Sequence, residues 1–164
     1  MSISQDRLRS LLTYEKETGM FTWNIKSRNG LLKPGTIAGG KDAYGYRKIH
    51  IDGVSYKAHR LAWMYEYGVW PCGTIDHING IPDDNRIANL REATPLQNQH
   101  NKRRPPAHNT SGYLGVSFNK QKLKWRATIS IGNKSKTIGN FDSPEEASEA
   151  YLKAKRLLHE FNTL

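Results

Sequence analysis

The stretch that most constrains this chain runs over residues 73–102, GTIDHINGIPDDNRIANLREATPLQNQHNK. Thr74 and Ile75 form a short apolar lead that reads as a strand end, and Asp76 and His77 follow it directly. Asn79-Gly80 is a turn signal, and a polar loop runs on from Pro82 to Asn89. Leu90 to Ala93 suits a second short strand. Thr94-Pro95 reads as a helix start: a threonine oxygen accepts from orphan N–H groups, and proline at the first helical position lacks the N–H that would go unpaired. The helix carries Leu96, Gln97, Asn98, Gln99, His100 and Asn101. The order is strand, loop, strand, helix, with Asp76-His77 at one end and Asn98 at the other. If the helix packs back on the strands, those residues converge.

The chemistry of such a cluster is readable. Carboxylate and carboxamide oxygens are hard donors, suited to Mg²⁺ or Mn²⁺ and not to zinc. A neighbouring histidine that is not needed as a ligand can take a proton from water near neutral pH. One hard cation, one general base and a basic chain together point to phosphodiester hydrolysis, with the metal offsetting charge on the phosphate and leaving oxygen. Singly, each residue is ordinary, since Asp-His is a common dipeptide and Asn-rich loops are usually turns. The combination is specific. The pattern DHxNGxxxDNRxxNLRxxTxxxN, met throughout here, resembles the HNH endonucleases of the ββα-metal fold, in particular their phage and intron-homing branch.

The resemblance implies roles residue by residue. Asp76 stands as the first metal ligand and His77 as the general base. Asn89 is the middle Asn that braces the loop so that the histidine ring is aimed, Asn98 is a metal ligand on the helix, and Asn85 holds the loop. Colicin-type relatives carry a third ligand one helical turn on. Here that position is Lys102, which implies a two-ligand site for one divalent cation, completed by water and phosphate. His100, two residues from Asn98, points elsewhere on a helix. The implied products are a 3′ hydroxyl and a 5′ phosphate.

Charge agrees with a polyanionic partner. Of the formal net charge of +10, residues 101–164 supply +7, from 12 Lys or Arg against 5 Asp or Glu. The single cysteine, Cys72, excludes an intrachain disulfide, leaves no basis for a cysteine zinc site, and reads as a buried or incidental thiol. The first ten residues carry Asp6, Arg7 and Arg9 without an apolar segment, and no run approaches membrane-spanning length. The expectation is a cytoplasmic protein of a phage-infected or prophage-bearing bacterial cell, a monomer or weak dimer, with double-stranded DNA as partner and no small-molecule cofactor.

Ahead of the motif, residues 3–15 predict an amphipathic helix capped by Ser4, with Leu8, Leu11 and Leu12 as its stripe. Met20 to Trp23 predicts a strand, and residues 26–42 a loop. Tyr44 to Ile51, the Asp52-Gly53 turn and Val54 to Lys57 predict a hairpin. Ala58 to Tyr67 predicts a helix ended by Gly68, with Trp63 and Trp70 in the core. His59 and Arg60 open that helix. The plain reading makes them surface residues that fix its orientation; the other gives His59 a part at the site and Arg60 a phosphate at the helix N-terminus.

After the motif, Lys102 to Ser111 predicts a linker, with Arg103 and Arg104 placed to follow a phosphate backbone. Strands are predicted at Tyr113–Phe118, Lys124–Ile131 and Lys134–Ile138. The middle one alternates, with Trp125, Ala127, Ile129 and Ile131 on the apolar face. Ser143-Pro144-Glu145-Glu146 is a capping box. The helix after it presents Ala147, Ala150, Tyr151, Ala154, Leu157, Leu158 and Phe161 towards the Trp125 face. Three strands and one helix make a minimal two-layer domain.

This half, through SGYLGVSF, KWRATI and IGNFDSPEEASEAY, resembles the AP2 (ERF-type) DNA-binding domain, whose sheet lies in the major groove. Carried over, the groove-facing positions are Ser117, Asn119, Arg126, Thr128, Ser130, Ser135 and Thr137. Most are small and polar, where the plant domains place arginines and tryptophans. Lys120, Lys122, Lys124 and Lys134 are assigned backbone affinity.

The expected architecture is therefore α+β. An HNH nuclease module spans 1–104, a linker 105–111, and an AP2-like three-stranded antiparallel sheet with one helix 112–164. The expected function is a metal-dependent DNA endonuclease. The alternative is a non-catalytic, sequence-specific DNA-binding regulator that works through the AP2-like half.

Overall fold

The structure is a computed structural model that describes residues 3–27, 30, 32–102, 104–106, 108–132 and 134–159. It is a mixed α and β chain with several small antiparallel sheets. It divides into two compact units, Met1–Ala93 and Thr94–Leu164. The division falls ahead of the helix that the sequence reading carries with the first module.

The first unit opens with α1, Gln5–Leu11, whose Ser4 side chain accepts from the Arg7 N–H. The helix stops four residues short of the expected end. Leu12–Glu15 is instead strand β1, paired antiparallel with β2, Met20–Trp23. Leu12 and Tyr14 are buried while Thr13 and Glu15 are exposed, a period of two that only a strand satisfies. Gly19, at φ 72°, makes the turn between them.

A second sheet follows in the order β3 (Gly40–Lys41), β4 (Arg47–Ile51), β5 (Val54–Lys57). Its first strand lies in the stretch expected to be loop. Asp52 and Gly53 both take positive φ, 49° and 80°, which suits a two-residue hairpin turn to the twist of its strands. Helix α2, Ala58–Tyr67, ends on Gly68 at φ 73°, whose N–H bonds the Met64 carbonyl. Strands β6 (Thr74–His77) and β7 (Leu90–Ala93) pair antiparallel, joined by a loop that closes with a 3-10 turn, Ile87–Asn89.

One apolar core serves the unit. Leu8, Leu12, Phe21, Ile49 and Leu61 have no exposed surface. Tyr14, Phe21 and Tyr65 form an aromatic cluster with ring centroids 4.7–6.1 Å apart, locking the β1–β2 hairpin to α2. Trp63 and Trp70 are only partly buried against this core, and Trp70 stacks on Tyr56 at 5.7 Å. Cys72 is exposed, not buried.

The second unit opens with α3, Pro95–His100. Thr94 and Gln97 cap it reciprocally: the Thr94 N–H donates to Gln97 Oε1 at 2.8 Å, and the Gln97 N–H donates to Thr94 Oγ1 at 3.2 Å. Strands β8 (Val116–Asn119), β9 (Lys124–Ile131) and β10 (Lys134–Phe141) form an antiparallel sheet in the order β10-β9-β8. The first is shorter than expected, because Ser111 Oγ gathers the Tyr113 and Val116 carbonyls into a turn. The third is longer, continuing past a bulge between Thr137 and Gly139.

Helix α4, Pro144–Leu158, starts on Ser143, whose hydroxyl accepts from the Glu146 N–H at 3.2 Å. It packs Ala147 and Tyr151 onto Val116, Ala127 and Ile129, as the alternation predicts. Leu157 departs from the predicted stripe and is 85% exposed; at about 100° per residue it lies well off the line of Ala147, Tyr151 and Lys155. Leu158 is exposed as well, and Phe161 lies outside the described residues. The stripe is completed by Lys155, buried, with its ammonium donating to the Lys102 carbonyl. No helix among the described residues is long and apolar enough to cross a membrane.

Phe21→Ala removes a fully buried ring from the aromatic cluster. The expected loss, read from urea unfolding of the first unit, is about 3–5 kcal/mol.

Candidate active site

Asp76 and His77 end strand β6, and both are 5% exposed. Successive side chains leave a strand on opposite sides, and these two have separate partners. Asp76 faces Arg91, its register partner on β7: the guanidinium donates from Nε at 3.0 Å, and its Nη2 lies 2.9 Å from the same carboxylate oxygen. His77 turns to the loop and to α2. Its Nε2 lies 3.3 Å from Asn85 Oδ1, and its ring meets that of His59 edge-on at 5.1 Å.

The Asn85 amide fixes which nitrogen of His77 carries the proton. Asn85 Nδ2 donates to the Asp83 carbonyl at 3.2 Å, an acceptor only. Oδ1 is therefore the atom turned to the ring, and His77 Nε2 must donate to it. The basic lone pair then belongs to Nδ1. Burial holds the His77 imidazole below its ordinary range, against the raising pull of Asn85, Asp76, Asp84 and Asp83. The ring is neutral at pH 7.

The loop that carries Asn85 is held on every side. Asn89, 8% exposed, takes the Asn79 N–H on its Oδ1 at 3.0 Å and donates from Nδ2 to Asn79 Oδ1 and to the Asp84 carbonyl. Asp83 accepts from Arg47 Nε and Nη2 at 2.9 and 3.0 Å and is paired with Lys41 at 3.1 Å. Asp84 takes Asn79 Nδ2 at 2.6 Å and Arg86 Nε at 2.7 Å. Asn89 thus braces the loop, while Asn85 is the residue that touches the histidine. Both asparagines read as loop-holding residues in the sequence; the ring contact of Asn85, and the roles of Arg47 and Lys41, carry no local signature.

His59 corrects the plain expectation of a surface residue. It is 5% exposed, set between the rings of His77 and Tyr46, the latter at 5.6 Å. Ala58, Leu61 and Ala62 are also buried, so α2 presents a wide face to the core and its first turn takes His59 along. Burial lowers its pKa to about 3, helped by His77, Lys57 and Arg60. Arg60 donates to the carbonyls of Gly73 and Pro71 at 3.2 and 3.4 Å, tying α2 to the lead into β6.

The remaining candidates lie in the second unit. Asn98 sits on α3, where its N–H bonds the Thr94 carbonyl. His100 stacks on His159 at 4.0 Å, and His159 donates from Nε2 to the Ser130 carbonyl at 2.8 Å. Arg104 is exposed, and Arg103 lies outside the described residues. On the sheet, Ser117 pairs with Arg126, Thr137 with Thr128, Ser135 with Ser130 and Asn119 with Lys124. Residues opposed in an antiparallel ladder share a face, so all eight line the face turned away from α4. Past the bulge, Asn140 joins Arg126 in the same row. Lys124 is paired with Asp142 at 3.0 Å, and Asn119 Oδ1 accepts from the Gln121 and Lys122 N–H groups. Lys134 is opposite Ile131, in register with the other face.

A sequence profile described as HNH endonuclease matches residues 56–100. Protein 3.8 of Escherichia phage T7 is 36% identical to this chain over 108 residues, 63% of this chain and 88% of that protein. Residues 56–100 are an HNH endonuclease domain, and the chain belongs to the same family as Protein 3.8. Among solved structures, the HNH homing endonuclease I-HmuI is similar at 22% identity with a TM-score of 0.42, over 92% of this chain and 88% of that one. The HNH profile takes in α2 as well as the strands, and so includes His59 and Arg60 beside Asp76, His77, Asn85 and Asn89.

A histidine buried neutral stabilises the fold fully above its unfolded pKa, and that stability is lost as pH falls towards the folded value. For His59 the window runs from 6.5 down to about 3. At about 1.4 kcal/mol per unit, its share of the loss is about 2–3 kcal/mol between pH 6.5 and pH 4.5. Chemical denaturation at several pH values is expected to give His59→Phe a flatter profile than wild type over that window. Parallel profiles would remove His59 as the cause.

Proposed function

We propose that this chain is a metal-dependent DNA endonuclease that hydrolyses phosphodiester bonds, of the phage homing type. The observation that carries the reading is His77: a buried, neutral imidazole inside the HNH match, with its proton fixed on Nε2 by Asn85. A ring so held serves as a general base at neutral pH.

The donor chemistry fits a hard cation. Among the described residues no group of three His, Cys, Asp or Glu is placed to hold a metal ion, so the reading rests on a site with fewer protein ligands. A carboxylate and a carboxamide match the low protein-ligand count typical of Mg²⁺. In this reading Asp76 and Asn98 hold one Mg²⁺ or Mn²⁺, which when bound offsets charge on the phosphate and on the departing oxygen. Arg91 keeps the Asp76 carboxylate oriented until it is engaged. His77 takes a proton from water through Nδ1, and that water attacks the phosphorus. Asn89 keeps the loop in the form that presents Asn85 to the ring.

DNA affinity is assigned to the second unit. We read residues 1–104 as the HNH module, 105–111 as a linker and 112–164 as an AP2-like module on double-stranded DNA. Arg126, Thr128, Ser130, Ser135, Thr137, Ser117 and Asn119 are its groove-facing residues, with Lys120 and Lys124 beside them and Arg60, Arg103 and Arg104 as further phosphate contacts. The polar row across β8, β9 and β10 supports this reading. It also supports the competing one, a DNA-binding regulator that does not cut. The setting in either case is the cytoplasm of a phage-infected or prophage-bearing bacterium, with the protein as monomer or weak dimer.

A plasmid assay separates the two. Wild type is expected to convert supercoiled DNA to nicked or linear form only with Mg²⁺ or Mn²⁺. His77→Ala is expected to cut at no measurable rate while binding DNA nearly as well. Equal cutting by the mutant would remove His77 from the mechanism, and salt-sensitive binding by wild type without cutting would favour the regulator. In a salt titration of binding, Lys120→Ala should weaken affinity across sequences and lower the salt slope by about 1. An unchanged slope would place Lys120 outside the interface.

A further inference from the structure

We propose that Tyr14 and Gly19, on the N-terminal hairpin, are positioning residues for His77, acting through the Asn85 peptide. The inference rests on the reading of His77 as the general base and adds a part of the chain remote from the motif.

The Tyr14 hydroxyl donates to the Asn85 carbonyl at 2.7 Å, across 71 residues of chain. Both ends are buried, with Tyr14 7% and Asn85 0% exposed. Burial pushes the Tyr14 hydroxyl pKa up, so it remains a proton donor throughout the working range. Next to it, Gly19 lies against the same peptide from the hairpin turn. A Cβ at Gly19 would stand 2.5 Å from the Asn85 carbonyl carbon and closer still to the Arg86 nitrogen, both backbone atoms that cannot swing aside. Gly19 also has φ 72°, a backbone that other residues adopt at a cost.

The hairpin therefore grips the Asn85–Arg86 peptide twice, by a hydrogen bond and by backbone contact. Its own position is fixed by the Tyr14–Phe21–Tyr65 ring cluster and by the Glu15 carbonyl, which takes the Gly19 N–H at 2.8 Å. The Asn85 side chain, held from below at its backbone, has one free choice left, its χ angles. The Asp83 carbonyl settles that choice by accepting from Nδ2. Without the hairpin the Asn85 carbonyl is a buried acceptor with no donor, and the peptide is driven to turn towards water. That motion carries Oδ1 away from His77 Nε2 and releases the ring to the other tautomer.

The test reads the ring directly. In metal-free protein carrying ¹⁵N-histidine, with His77→Ala identifying its signals, wild type is expected to give the nitrogen shifts of the Nε2–H tautomer. Tyr14→Phe keeps the aromatic ring and should fold; its His77 shifts should move towards a mixture of tautomers. Gly19→Ala should do the same by displacing the peptide. Thr13→Ala, which breaks a 2.7 Å bond to Asn24 on the same hairpin, should leave His77 as it is. In the plasmid assay Tyr14→Phe should cut about ten- to a hundred-fold more slowly with KM for DNA little changed, the signature of a misaimed group. His77 shifts in Tyr14→Phe that coincide with wild type overturn the proposal, even if Gly19→Ala fails to fold. If wild type does not cut DNA at all, the nuclease reading falls, and the nitrogen shifts still decide whether the hairpin sets the ring.

Discussion

Buried polar groups must be paired, and the loop between β6 and β7 is where that rule governs this protein. The loop has little regular structure, yet Asn85 and Asn89 within it are buried. Those two side chains cannot turn to water, and the loop around them is pinned by partners from several elements. Arg47 and Lys41 come from the second sheet, Tyr14 from the first, and Asn79 and Asp84 from the loop itself. The front of the chain builds the surroundings that a short ββ segment lacks, and the small motif gains from them a core it could not bury alone.

The same rule explains why His77 is neutral and aimed. An imidazole in contact with His59 and Tyr46 rings has little solvation for a charge. Its Nε2 meets a side chain whose own orientation is dictated by a carbonyl. Preorganisation here is a chain of forced choices, each leaving the next group one arrangement. The second unit follows simpler principles. An alternating strand and an amphipathic helix close on each other, and the ladder sorts small polar residues onto the uncovered face.

Elements set by local chemistry were legible in the sequence. The Asp52-Gly53 hairpin, the Gly68 stop, the Thr94-Pro95 start and the Ser143 cap each follow from residues whose backbone or hydrogen-bonding preference is strong. The β6–β7 pairing was legible for the same reason, since Asn79-Gly80 and the apolar leads mark it. What was not legible depends on partners distant in sequence. Residues 12–15 carry a leucine stripe's end that reads as helix, and pairing with β2 makes them a strand. Lys155 is absent from the predicted apolar stripe, and the Lys102 carbonyl lets it close the α4 stripe where Leu157 does not. His59 reads as a surface residue because nothing nearby announces the rings of Tyr46 and His77. Asn85 was visible as a loop residue; its grip on His77 was not, because it passes through geometry rather than spacing.

The link between Tyr14 and Asn85 also orders events in time. A contact across 71 residues closes a large loop, and its entropy must be met before any of its bonds form. In the second unit the sheet and the helix that covers it follow one another in sequence, while the Lys155–Lys102 bond closes a loop across 53 residues. During synthesis the hairpin emerges first and has to wait for the strands that complete its sheet-side neighbours. The imidazole geometry is thus acquired late, with closure of the first unit.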